Sequence, residues 1–146
     1  MKTEFSSNWK ASVQKRKQRK YIHNAPLHVM HRFLSANLSK ELRKKYGKRN
    51  LPLRTGDEVL VMRGSFKKKK AKVSSVDLKN LKIYLEGIQR SKKDGTKVNV
   101  PFRANILQIQ SLNLDDKERS IAASRKATPK TQKIQNQVKA EKSEAK

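Results

Sequence analysis

The chain has 146 residues, with 37 Lys and Arg against 12 Asp and Glu, a formal net charge of +25 at pH 7. Self-repulsion of that size opposes a compact fold, so a polyanion must offset it, and counterion release makes nucleic acid the fitting partner. With 34% hydrophobic residues, 5% aromatic residues and no Cys, the composition excludes disulfides, thiolate zinc sites and a core running the whole length.

No apolar run approaches the roughly 18 residues that span a bilayer. Met1–Lys10 has no signal-peptide stretch, and no amphipathic helix with Trp, Phe or Leu on one face suggests lipid binding. A soluble, intracellular protein without membrane contact is expected. Charge divides the chain into three: 14 basic and 2 acidic side chains in residues 1–50, 14 and 5 in 51–112, and 9 and 5 in 113–146.

Residues 1–50 read as a basic N-terminal extension with two short helices. It opens on a polar stretch and the run Lys15, Arg16, Lys17, Gln18, Arg19, Lys20. Pro26 suits a first helical turn, with Leu27, Met30 and Leu34 at helical spacing behind it. A second helix is marked by Ser39 as N-cap, Glu41 in the first turn, Lys44 and Lys45 in the last, and Gly47 after it. Leu38, Leu42 and Tyr46 would share its apolar face. Helices this short do not fold alone.

Residues 51–112 change to a strand pattern. Val59–Met62 form an apolar run after Gly56-Asp57, and Val73 and Val76 mark a second strand with a turn near Asp77–Asn80. Leu81, Ile83 and Leu85 alternate with Lys82, Tyr84 and Glu86. Asp94-Gly95 is a hairpin signal, followed by Val98 and Val100, and Ile106, Leu107 and Ile109 supply a fifth strand. Five short strands suggest a small, marginally stable barrel that packing on the extension or on RNA would support. In 113–146, Asp115 three residues before Glu118 predicts a capping box and a short helix. Beyond Ala123 a flexible basic tail is expected.

The stretch Arg54–Asp77 resembles the KOW motif: a Gly-Asp turn, a Val-rich strand, a glycine, a basic loop and a second Val-containing strand. Gly56, Asp57, Val59, Val61, Gly64, Lys67, Lys72, Val73 and Val76 carry the likeness. Glycine is usual in the motif where Lys68 and Ala71 stand here. A positive φ at either position would cost roughly 1 kcal/mol or more.

Further segments widen the likeness. Lys17–Tyr21, Asn24–His28, Leu38–Arg43, Lys45–Lys48, Leu78-Lys79, Lys82–Gly87 and Asp94–Thr96 resemble the archaeal and eukaryotic type of the large-subunit ribosomal protein twenty-four family. The likeness covers about residues 15 to 112. Where relatives usually have His-Pro-Ser-Asn, this chain has Phe102–Asn105, and only Asn105 matches. The resemblance implies a mainly β fold, an SH3-like five-stranded barrel, and a structural constituent of the large ribosomal subunit in the cytoplasm. It also implies binding to the 5′ domain of the large rRNA, a part in early subunit assembly and a place near the nascent-chain exit tunnel. Partners would then be large-subunit rRNA, neighbouring large-subunit ribosomal proteins and factors docking at the tunnel exit.

The residues expected to bind RNA fall into three groups. Lys15, Arg16, Lys17, Arg19 and Lys20, with Tyr21 and His23, would thread between RNA helices and neutralise backbones that repel one another. Arg63, Gly64, Phe66, Lys67, Lys68, Lys69, Lys70 and Lys72 would present a loop of point charges to phosphates. Arg43, Lys44, Lys45, Lys48 and Arg49 would form a third patch, although cations also favour helix C-termini for their own sake. Trp9, Tyr21, Phe66 and Tyr84 are candidates for base stacking, with packing an equal use for Phe66. His23, His28 and His31 lack the further ligands a metal needs. No cofactor, small-molecule substrate or catalytic constellation is read from the chain, and the acids are expected to be solvated. A transcription elongation or antitermination factor also carries a KOW barrel, but would need an added α/β domain of about 90 residues.

Overall fold

A computed structural model describes residues 4–125. After a 3₁₀ turn at Ser7–Ala11 come α1 (Lys15–His23), α2 (Leu27–Phe33), β1 (Ser35–Leu38), α3 (Lys40–Tyr46) and β2 (Asn50–Pro52). There follow β3 (Glu58–Val61), β4 (Lys70–Asp77), β5 (Lys82–Ser91), β6 (Lys97–Phe102), a 3₁₀ turn at Ala104–Ile106, β7 (Leu107–Ser111) and α4 (Lys117–Ser124). The fold is mainly β: one seven-stranded mixed sheet in the order β2-β1-β7-β3-β4-β5-β6, with short helices around it.

All pairs are antiparallel except β1 with β7, where Asn37 lies opposite Gln108 and Leu38 opposite Ile109. The five expected strands are present, and their inward side chains follow the period of two: Val59 and Val61, Val73, Ile83 and Leu85, Leu107 and Ile109, each almost fully buried. The buried run after Gly56-Asp57 ends at Val61, one residue earlier than expected, since Met62 is exposed. Asp94-Gly95 makes the β5–β6 turn, with the Lys92 N–H donating to the Thr96 carbonyl at 2.9 Å.

The N-terminal part departs from the expectation of helices alone. Leu38 is not on a helix face but in β1, fully buried, and Leu34, Ala36 and Leu53 join it in the same core as the β3–β7 side chains. The reason is that Leu34 and Leu38 fit helical spacing with Leu27 and Met30 on one side and Leu42 and Tyr46 on the other. Together with Ala36 they fit a strand period, and the open edge of β7 offers hydrogen bonds. The Ser39 N–H donates to the Ile109 carbonyl at 2.9 Å. An additional helix, α1, forms from the basic run itself. Its cations point to solvent, while Tyr21 turns inward and stacks on Phe5 (centroids 5.3 Å) and edge-on to Phe33 (5.6 Å).

The helix signals of α3 are as read: the Ser39 side chain accepts from the Leu42 N–H at 3.3 Å, and Gly47 closes the helix at φ 63°. In α4 the N-cap is Asp116, one residue later than expected, and its carboxylate accepts from the Glu118 N–H at 2.9 Å. The tail expected beyond Ala123 lies, from residue 126 on, outside the described residues.

Candidate nucleic-acid interface

The loop between β3 and β4 is built from short local bonds. The Val61 N–H donates to the Lys69 carbonyl at 2.9 Å and the Lys68 N–H to the Val61 carbonyl at 2.8 Å, which narrows the loop at its base. Gly64 takes φ 95° in the turn, a conformation with a steric cost for any residue bearing a Cβ. Of the two positions where the motif usually has glycine, Lys68 does require a positive φ, 70°, and Ala71 does not, being paired in β4 opposite Val59. The loop therefore has the backbone of a glycine-bearing turn with a lysine in its place.

Arg63, Lys67, Lys68, Lys69, Lys70 and Lys72 are all exposed. Phe66 is half-buried and packs edge-on to Phe102, with centroids 6.1 Å apart, which anchors the loop and leaves part of the ring open to the surface. The Lys69 ammonium lies 5.3 Å above the Phe66 ring. Among the described residues, none of these loop cations is paired with a carboxylate. Such a cluster repels itself unless an anion lies across it.

In α1, Lys15, Arg16, Lys17, Arg19, Lys20 and His23 are exposed, and no acid occupies the first turn. Among the described residues Lys20 alone of these cations has a partner: its Nζ stands 3.6 Å from Glu4 Oε2 and 5.9 Å over the Trp9 ring. Tyr21 is taken up by packing. The third group is divided. Lys44, Lys45 and Arg49 are exposed, whereas Arg43 Nε donates to the Leu38 carbonyl at 2.9 Å and Lys48 Nζ donates to the Ala122 carbonyl. Two of those five cations thus serve the fold.

The groups do not converge on one spot. The basic loop leaves the Lys70 end of β4, while Leu81, just beyond its Asp77 end, borders α1 in a hollow shared with Gln18, Tyr21, Ile22 and Phe33. An eight-residue strand is about 26 Å long. Cations at both ends suit an extended polyanion, or two of its segments, better than a small anion.

A further cationic element is not among the expected residues. On the β5–β6 hairpin Arg90, Lys92, Lys93 and Lys97 are exposed, beyond a register shift between Tyr84 and Gln89. The signal for it is the cluster of Arg90, Lys92, Lys93 and Lys97 on either side of the Asp94-Gly95 turn.

The most consequential departure is Asp57, of the Gly-Asp turn. The acids are expected to be solvated, yet this side chain is fully buried. Arg119 of α4 donates to both its oxygens, Nη1 to Oδ1 and Nη2 to Oδ2, each at 2.6 Å. The same carboxylate accepts from the backbone N–H groups of Arg54 (2.9 Å) and Asn113 (3.0 Å). Arg119 Nη1 also donates to the Asn113 carbonyl at 2.6 Å and Nη2 to the Pro52 carbonyl at 3.3 Å. Gly56 beside it takes φ 84°, a conformation strained for any residue that bears a Cβ. Sequence spacing offers no sign of a pair 62 residues apart.

Among the described residues no helix is long and apolar enough to cross a membrane, and no group of three or more His, Cys, Asp and Glu is placed to hold a metal. His28 and His31 are exposed on α2.

Residues 12–126 match the family of ribosomal proteins described as L26 in eukaryotes and L24 in archaea. The chain is 40% identical over 115 residues to the large ribosomal subunit protein uL24 of Methanosphaera stadtmanae, covering 79% of this chain and 98% of that one. It is 46% identical over 110 residues to the protein of the same name from Korarchaeum cryptofilum, covering 75% of this chain and 84% of the relative. A sheet with outward cations agrees with that match, and the chain belongs to the uL24 family of ribosomal proteins, as a structural protein and not an enzyme.

Proposed function

We propose that the protein is a cytoplasmic constituent of the large ribosomal subunit that binds the 5′ domain of the large rRNA. On this reading it acts early in subunit assembly and lies near the nascent-chain exit tunnel, beside neighbouring ribosomal proteins and within reach of factors that dock there. The observation that carries the reading is the set of exposed cations at both ends of β4, all but Lys20 without a carboxylate partner among the described residues, within the stretch that matches the family. Family resemblance alone supports the placement on the subunit.

The mechanism is electrostatic and geometric. Lys15, Arg16, Lys17, Arg19 and Lys20 on α1 engage one stretch of backbone, and Arg63 with Lys67–Lys70 and Lys72 another. Carrying both sets on one fold, α1 near one end of β4 and the basic loop at the other, holds together RNA segments that otherwise repel. Lys44, Lys45 and Arg49 add to the contact, while Arg43 and Lys48 contribute mainly through the fold. RNA shape, phosphates and 2′-hydroxyls are read more than base sequence.

We read β3–β7 as an SH3-like KOW barrel within residues 51–112. Four antiparallel pairings, a 3₁₀ turn before the last strand, the return of β7 to pair with β3, and one shared apolar core support this. Residues 1–50 then act as the RNA-facing extension, although β1 is shared with the sheet, and 113–146 as the C-terminal segment.

Ultraviolet cross-linking of the tagged protein in growing cells, with sequencing of the attached RNA, tests the placement. Reads concentrated on a few helices of the 5′ domain of the large rRNA are expected. Reads spread over nascent messages, with RNA polymerase co-purifying, would overturn it in favour of a transcription factor.

A further inference from the structure

The β5–β6 hairpin outgrows the core. From Gln89 to Asn99 every residue is exposed, so this half of the hairpin is a ribbon with neither face covered. At its root, where it meets the Arg63–Phe66 turn, two open concavities of about 550 and 520 Å³ adjoin and share Arg90, Val100 and Pro101. The floor is apolar: Phe66 and Phe102 edge to face, beside Val100 and Pro101. The rim is cationic, with Arg63 on the loop and Arg90, Lys92 and Lys93 on the ribbon, and among the described residues no Asp or Glu lines either hollow. The neighbouring acid, Asp94, is turned into its own loop, where it accepts from the Thr96 N–H at 3.0 Å and hydroxyl at 2.7 Å.

An apolar floor under a ring of cations fits a flat, apolar-faced body joined to negative charge. Paired A-form RNA does not offer one, because its bases stay in the stack and its outer surface is phosphate and 2′-hydroxyl. The lysine loop alone would suffice for duplex backbone, and the floor would add nothing. An unpaired nucleotide uses both features: its base lies on the apolar floor and against a guanidinium plane, and its phosphates meet the rim. We propose that this groove holds one unstacked base of an RNA bulge, loop or single strand, with the flanking phosphates on Arg63 and Arg90. The proposal rests on the RNA-binding reading above and refines it.

The test uses the purified full chain with three probes: a thiouridine-containing oligouridylate, a fully paired RNA duplex and an oligoglutamate peptide of matched charge. Photo-cross-linked peptides are mapped by mass spectrometry, and affinities are compared with those of Arg90→Ala, an exposed ribbon residue. Adducts on peptides holding Phe66 or Val100–Phe102 are expected. Arg90→Ala should weaken the oligouridylate about tenfold, within the range of a single stacked base, and the duplex less than about twofold. Adducts confined to α1 and Lys67–Lys70, with Arg90→Ala harmless, would overturn the proposal and leave the RNA-binding reading intact. Oligoglutamate that displaces the oligouridylate, and itself depends on Arg90, would overturn it in favour of an acidic-peptide site. Failure of every RNA to bind would overturn both.

Discussion

The two ends of the β3–β4 region put the same residue types to opposite uses. Around Asp57, the cations Arg54, Arg119 and Lys48 are engaged by the protein itself: Arg119 holds a buried carboxylate, Arg54 pairs with Asp116, and Lys48 ties α3's exit to α4. Around Gly64, six exposed cations have no carboxylate partner among the described residues. The difference lies in what surrounds each charge. At the first end, acids and free carbonyls converge from three separate segments. At the second, a narrow loop carries the lysines clear of any ion pair among the described residues. Only Lys72 has an acid, Glu58, across the sheet from it. Net charge therefore overstates the cations available to RNA.

The sharpest way to break the comparison is Arg119→Ala. It strands a buried carboxylate, so a loss of about 3–5 kcal/mol is expected in urea unfolding. A loss below about 1 kcal/mol would mean that the pair is dispensable and the two ends are less different than described. The outward set should behave in the reverse manner. Replacing Lys67, Lys68, Lys69 and Lys70 together with Gln should leave unfolding within about 1 kcal/mol, as surface changes usually do, while making the log-log salt dependence of RNA binding shallower. The expected change is about 0.7–0.9 in slope for each phosphate no longer neutralised. An unchanged slope would remove the loop from the interface.

A subtler effect is expected at Lys68. Its φ of 70° carries a cost that glycine escapes, so Lys68→Gly should stabilise the fold by about 0.5–1 kcal/mol, read as a raised thermal midpoint. It should weaken RNA binding through the missing charge, separating loop geometry from loop charge in one variant. A lowered midpoint would show that the turn is not strained.

The smallest effect concerns acid. Hydrogen bonds from the Arg54 side chain to Asp116, from the Asn80 side chain to Asp77 and from the Thr96 hydroxyl to Asp94 hold these three carboxyls below their ordinary value of 3.8. A depressed folded-state value means stability that is complete above the unfolded value and lost as pH falls through the folded one. These groups should therefore contribute no slope between about pH 5 and 8, and a weak loss only below about 4. Replacing all three by Asn should flatten the acid limb of a pH–stability curve. An acid limb unaltered by that change would assign the loss elsewhere.

Much of the fold is legible in local pattern. Alternating Val, Ile and Leu mark the strands from Val59 to Ile109, because one buried face imposes a period of two. Ser39, Glu41 and Gly47 mark α3, because capping is satisfied within a few residues. Gly64 and the lysines after it mark the loop, because a turn and its charge are both local. Leu34 and Leu38 mislead for the same reason: each fits a helical set, with Leu27 and Met30 or with Leu42 and Tyr46, and only the edge of β7 selects the strand they share with Ala36.

The sequence by itself thus determined the excess of positive charge, the strand periods, the basic loop and the family likeness, all of which are properties of neighbouring residues. Tertiary structure decided which charges reach outward. Asp57 and Arg119 are 62 residues apart, and only folding brings a carboxylate, a guanidinium and the carbonyls of Pro52 and Asn113 to one buried point. Burial of an ion pair depends on the low-dielectric surroundings that the whole chain assembles, and no local window of sequence contains them.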